Sequence, residues 1–101
     1  MPRDVLPQRR GGETVQFCHW NMDFCATTGH YADGRIGEVF MSAGKLTSEA
    51  DIAVKEAAIA LSFAWQHGAK PEDMRAAMPR TSDGTPEGPI GKLLDLLGEK
   101  G

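Results

Sequence analysis

Three charged side chains in one short stretch are the first candidates for chemistry: Asp33, Arg35 and Glu38, inside Tyr31-Ala32-Asp33-Gly34-Arg35-Ile36-Gly37-Glu38-Val39-Phe40. An arginine fork grips a phosphate or carboxylate through parallel N–H donors. A nearby carboxylate accepts hydrogen bonds from a ligand or a partner chain. On that reading Arg35 holds an anion and Glu38 accepts, with Tyr31 and Asp33 beside them. The same residues have plainer explanations. Asp33-Gly34 is a hairpin dipeptide, because both central positions of a tight reverse turn favour positive φ and Gly adopts it freely. Arg35 fits a cross-strand pair with a carboxylate. Glu38 is either an edge residue facing water or a carboxylate aimed at a specific partner.

Other chemistries fail on spacing. His19, His30 and His67 fall on a strand, a turn approach and a helix end, so they do not form a metal-ligand set. Cys18 and Cys25 are too far apart in sequence for a redox or zinc knuckle, and lie on partner strands of one hairpin. A cross-strand disulfide and a pair of reduced packing thiols both fit that placement. Ser62 has no Gly-rich elbow beside it and does not read as a nucleophile. With no nucleophile–base or metal constellation, the expectation is a non-enzyme without a cofactor. Arg3, Arg9 and Arg10 form a basic cluster, either a solvated arm or one that touches a phosphate or a partner. Trp20, near a hairpin end, offers contact surface, whereas Trp65 falls on an apolar helical stripe and reads as core.

The elements that must position these groups follow from periodicity. Residues 1–12, with Pro2, Pro7, Gly11 and Gly12, read as an extended arm. From Glu13 to Trp20 the chain alternates, Val15 and Phe17 on one side and Thr14, Gln16 and Cys18 on the other, which predicts a strand. Asn21 reverses it into residues 22–28, where Met22, Phe24 and Ala26 share a face. The Asp33-Gly34 turn returns it through residues 36–41. Three short strands with short turns make an antiparallel meander.

Ser48 or Thr47 caps a helix predicted over residues 49–67, with Asp51 in its first turn. Val54, Ala58, Leu61 and Trp65 form one stripe, and Ile52, Ile59 and Phe63 extend it round most of the circumference. Gly68 ends the helix, and Pro71 with Glu72 and Asp73 opens a short one that closes before Pro79. Residues 79–89 are rich in Pro and Gly and read as a flexible linker. Ile90, Leu93, Leu94 and Leu97 then give a terminal amphipathic helix over 90–101, which docks back on the core or clasps a partner.

Taken in order, Arg9-Arg10-Gly11, Glu13-Thr14, the Tyr31–Phe40 block, Ala58-Ile59-Ala60-Leu61-Ser62 and Gln66-His67-Gly68-Ala69 with the Pro-Glu helix start resemble the TSCPD domain. That module occurs near the C-terminus of vitamin-B12-dependent (class II) ribonucleotide reductases and as small free-standing proteins. The resemblance spans residues 6–78. The Thr-Ser-Cys-Pro-Asp string that names the domain is absent, as are the C-terminal Cys pairs of the long reductases. The resemblance therefore implies an accessory or regulatory module in nucleotide metabolism, and a reductase label only by inheritance.

Length and charge narrow the classes further. A chain of 101 residues makes one domain with a modest core, too small for a radical barrel. A net charge of −3 argues against a general nucleic-acid binder. The acidic start of the second helix argues against a helix-turn-helix reading. No apolar run approaches membrane-spanning length, so a cytoplasmic protein is expected.

The sequence thus predicts an α+β fold: a three-stranded antiparallel meander on one long helix, plus a short helix and a C-terminal amphipathic one. Its domain core is expected at 13–78. The long helix is too apolar for one small sheet to cover, so a homodimer or an obligate protein partner is expected. The binding candidates are Arg35, Glu38, Tyr31, Asp33, Trp20, Arg9 and Arg10, facing a protein or a nucleotide-like anion. An alternative is a phage- or mobile-element-type protein that inhibits a larger enzyme.

Overall fold

The computed structural model describes residues 2–8, 11–44 and 48–100. The expected Arg9, Arg10 and Thr47 lie outside these residues. The fold is α+β, with strands β1 (Gly11–His19), β2 (Met22–His30) and β3 (Ile36–Ala43) followed by helices α1 (Glu49–Gln66), α2 (Pro71–Ala77) and α3 (Pro89–Lys100). The strands form one antiparallel sheet in the order β1-β2-β3. Gly11 and Gly12 belong to β1, so the strand starts two residues before the expected boundary.

The two hairpins use different turns from those the dipeptides suggest. At the first, His19 pairs with Met22 across Trp20 and Asn21, which have φ of 54° and 58°. Two consecutive left-handed residues match the right-handed twist of the strands, and here a Trp takes the position that Asn or Gly usually fills. At the second, Asp33-Gly34 does not supply the two central residues of such a turn. Gly34 N–H donates to the Tyr31 carbonyl (2.9 Å) and Tyr31 N–H to the Arg35 carbonyl (2.9 Å), with only Gly34 left-handed, at φ 93°. That is a longer loop in which a Gly follows the turn rather than sitting inside it. Beyond it the register slips at Gly29/His30, where Gly37 is the extra residue.

The core lies on one sheet face. Phe24, Ala26, Val39, Met41 and Ala43 meet Val54, Ala58, Leu61 and Trp65 of α1 and Leu93 and Leu94 of α3. The stripe expected on α1 is therefore the buried one, and α3 docks on the core. Ser48 caps α1, its Oγ accepting from Asp51 N–H (3.2 Å), and Gly68 at φ 102° follows its end.

Residues 79–89, expected as a flexible linker, carry bonds of their own: Thr81 N–H to the Thr85 carbonyl (2.8 Å) and Glu87 N–H to the Pro79 carbonyl (3.0 Å). Arg80 ties this loop to α3 through Asp95 (2.7 Å), which Arg75 of α2 also reaches (2.9 Å). Among the described residues, no helix is long and apolar enough to cross a membrane.

α1 runs antiparallel along the outer edge of β3, and its polar side chains meet that edge at three residues. Asp51 accepts from Ala43 N–H (2.9 Å). Ser62 Oγ accepts from Val39 N–H (2.9 Å). Gln66 Nε2 donates to the Gly37 carbonyl (2.9 Å). Asp51 and Gln66 are fully enclosed, and Lys55 meets the second Asp51 oxygen at 2.8 Å. Ser62, considered for chemistry in the sequence, is occupied by structure.

Candidate functional groove

The structure sorts the sequence candidates into three places. Tyr31, Asp33 and Arg35 gather at the β2–β3 turn, where they clasp the N-terminal arm. Arg35 Nε donates to Asp33 (2.8 Å) and its terminal nitrogen to Asp4 (3.1 Å), while the guanidinium lies 4.5 Å from the centre of the Tyr31 ring. The Tyr31 hydroxyl donates to the Asp4 carbonyl, and Asp4 N–H to the Gln66 carbonyl (2.7 Å). The Arg35 N–H and then its side chain hold the Asp33 carboxyl below its usual range. Asp33, and after it Asp4, raise the Arg35 guanidinium further. Burial and the Asp4 charge push the Tyr31 phenol up. Arg35 thus already holds two carboxylates, both belonging to this chain.

Glu38 is elsewhere. It projects from β3 to the sheet face opposite the core and is only 9 % exposed, so it is not a water-facing edge residue. The strand alternation that sends Val39 and Met41 inward sends Glu38, Phe40 and Ser42 outward. Gly29, directly opposite Glu38 on β2, makes room for it: a Cβ there would collide with the Glu38 carboxylate.

Trp20 stands at the far end of the sheet, in the β1–β2 turn. Its Nε1 donates to the Glu87 carbonyl (3.0 Å), which also meets His19 Nε2 (2.9 Å). The ring remains 59 % exposed, but it shares no surface with Arg35 or Glu38. Cys18 and Cys25 are free thiols. Cys25 faces Gln16 across the ladder and Cys18 faces Asp23, so the two are diagonal neighbours. Among the described residues, no group of three or more His, Cys, Asp or Glu side chains is placed to hold a metal ion.

The site with the shape of a binding surface is one the sequence did not single out. A groove of about 520 Å³ runs between the outward face of β2–β3 and the exposed side of α1. Glu38 lies at one end of it and Ser42 at the other, and Phe40, Ile59 and Phe63 form its apolar walls. These three remain 61 %, 59 % and 48 % exposed. Arg3 reaches in from the arm, its guanidinium 4.9 Å from the centre of the Phe63 ring and its Nε bonded to Gln66. Lys55 supplies the second cation.

The signal for this groove was in the sequence. Ile59 and Phe63 were recognisable as apolar surplus on α1, and Phe40 as the apolar residue on the wrong side of β3. What α1 packs beside, the β3 edge, decides that these surpluses meet. The chain matches no protein-family profile, no curated protein and no solved structure to which it was compared.

Proposed function

We propose that this chain is a non-catalytic interaction module that binds a protein partner in the groove between α1 and the outward sheet face. The observation that carries the reading is the trio Phe40, Ile59 and Phe63, which leave three large side chains about half exposed around one concavity. Aromatic and aliphatic anchors in a pocket rimmed by charges are the usual energetic centre of a protein interface. A nucleotide-like anion is the weaker alternative, because Arg35, the residue suited to it, is engaged by Asp33 and Asp4. The accessory role fits the TSCPD resemblance, which supports a class II ribonucleotide reductase as the partner enzyme.

Calorimetric titration of the chain into that reductase from the same organism tests the reading. Binding by the native chain and its loss in Phe63→Glu is the expected result. Absence of binding by the native chain would remove the reductase from the proposal. A rise in melting temperature with nucleoside phosphates, abolished in Arg35→Ala, would favour the anion reading instead.

A further inference from the structure

The two edges of the sheet are finished differently. On β3 the backbone groups of Gly37, Val39 and Ala43 point at α1 and are met by Gln66, Ser62 and Asp51. Antiparallel ladders alternate, so this parity carries across the sheet. Residues 25, 27 and 29 of β2 face β3, and residues 24, 26 and 28 face β1. The β1 partners of those last three are Phe17, Val15 and Glu13. The bond from Glu13 N–H to Thr28 Oγ1 (3.3 Å) fits that assignment. It follows that the backbone N–H and C=O groups of Thr14, Gln16 and Cys18 point away from the sheet. Among the described residues, nothing meets them.

An open edge of this length is ordinarily guarded in a monomer by Pro, Lys, a bulge or a covering element. β1 pairs with β2 through nine residues without a register shift, and Gly11–His19 contains neither Pro nor Lys.

We propose that a second copy of this chain pairs antiparallel with β1, about a twofold axis through Gln16, to make a continuous six-stranded sheet. The register follows from complementarity. An axis at Gln16 sets Val15 against Phe17 of the other copy on the core face, a β-branched residue against an aromatic ring. Beyond them Glu13 meets His19, a carboxylate against an imidazole. On the outward face Thr14 meets Cys18, and Gln16 meets its own symmetry mate. Moving the axis one residue to Val15 would instead set the Glu13 carboxylate against Phe17. A twofold pairing satisfies the same groups on both copies at once, as an isologous interface requires. This edge lies on the far side of the sheet from α1, so it is independent of the groove and of what the groove binds.

Light scattering on the full chain at high micromolar concentration tests the proposal, with twice the chain mass expected. Hydrogen exchange adds a register-specific readout. Amides of Thr14, Gln16 and Cys18 should be protected in the concentrated sample and lose that protection on dilution, whereas Val15 and Phe17 stay protected throughout.

Gln16→Pro removes one outward N–H and should halve the mass while the circular dichroism is retained. Should that variant misfold, Thr14→Lys with Cys18→Lys leaves every ladder bond to β2 in place and should also give a monomer. In a Cys18→Ser, Cys25→Ser background, Gln16→Cys should cross-link to its mate on oxidation, since paired Cα atoms about 5.5 Å apart are within disulfide reach. Thr14→Cys should not.

A single-chain mass, or cross-linking at 14 and not at 16, would overturn the proposal. So would a dimer that survives both edge variants and is lost in Phe63→Glu, which would seat the second copy in the groove.

Discussion

Ser62 Oγ sits 2.9 Å from the Val39 amide nitrogen and 3.2 Å from the Val39 carbonyl oxygen, so one helical hydroxyl stands where a fourth strand would. The same hydroxyl reaches the Ala58 carbonyl at 2.8 Å. An edge amide that loses its acceptor inside a packed helix–sheet contact bears the desolvation cost alone. Ser62→Ala is therefore expected to lower unfolding stability by about 1–3 kcal/mol, measured by urea titration. An effect within experimental error would show that water reaches Val39 as readily as Ser62 does.

Asp95 carries an acid-sensitive contact that joins α3 to α2 and to the loop before it. Hydrogen bonds from Arg80, with a second contribution from Arg75, hold its carboxyl down to about 2, against an ordinary value of 3.8. A depressed carboxyl stabilises the fold above its unfolded pKa, and that stabilisation is lost as pH falls through the folded value. Stability should accordingly decline between pH 4 and pH 2, the window set by those two values. Asp95→Asn should remove the Asp95 share of this decline, leaving that of Asp83, whose carboxyl Thr81 and Thr85 also hold down to about 2, and cost on the order of 1–2 kcal/mol at neutral pH. Melting curves of both proteins across that range decide it, and superimposable pH profiles would count against the Arg75–Asp95–Arg80 linkage.

Much of the fold was legible because it rests on period. Val15 and Phe17 against Thr14 and Gln16, then Met22, Phe24 and Ala26, announce strands whichever partners they find. Val54, Ala58, Leu61 and Trp65 announce a buried helical face. The turns were less legible. Asp33-Gly34 has the composition of a two-residue turn but sits one step further along a longer loop, and the real two-residue turn uses Trp20-Asn21. The candidate site was the least legible, because it depends on where α1 lies. Asp51, Ser62 and Gln66 share one face of the helix, a polar stripe beside an apolar one. That stripe is the mark of a helix placed beside a strand edge rather than over a sheet face. Once α1 lies there, Ile59 and Phe63 must face Phe40, and Glu38 falls into the same groove.

The clasp at the β2–β3 turn gives a prediction about the arm. Arg35 and the Tyr31 hydroxyl both hold Asp4, and Arg3 lies against Gln66 and Phe63. Arg35→Ala and Tyr31→Phe should each speed tryptic cleavage after Arg3 while leaving the far-ultraviolet circular dichroism unchanged. Cleavage at the native rate in both variants would mean that the Asp4 N–H bond to Gln66 and the Arg3 contacts with Gln66 and Phe63 hold the arm without the clasp.

Gly29 and Glu38 form a coupled pair that a double-mutant cycle can isolate. They face each other across β2 and β3, and a Cβ at Gly29 would occupy the volume of the Glu38 carboxylate. Gly29→Ala is therefore expected to destabilise the chain by about 1–3 kcal/mol, the usual cost of overpacking a closed site. In a Glu38→Ala background the three atoms nearest to that Cβ are gone, and its cost should fall to a small fraction of that. The difference between the two costs is the coupling energy, independent of whatever else Glu38 contacts. Equal costs in both backgrounds would show that Gly29 is required by its backbone at the register slip rather than by the carboxylate opposite.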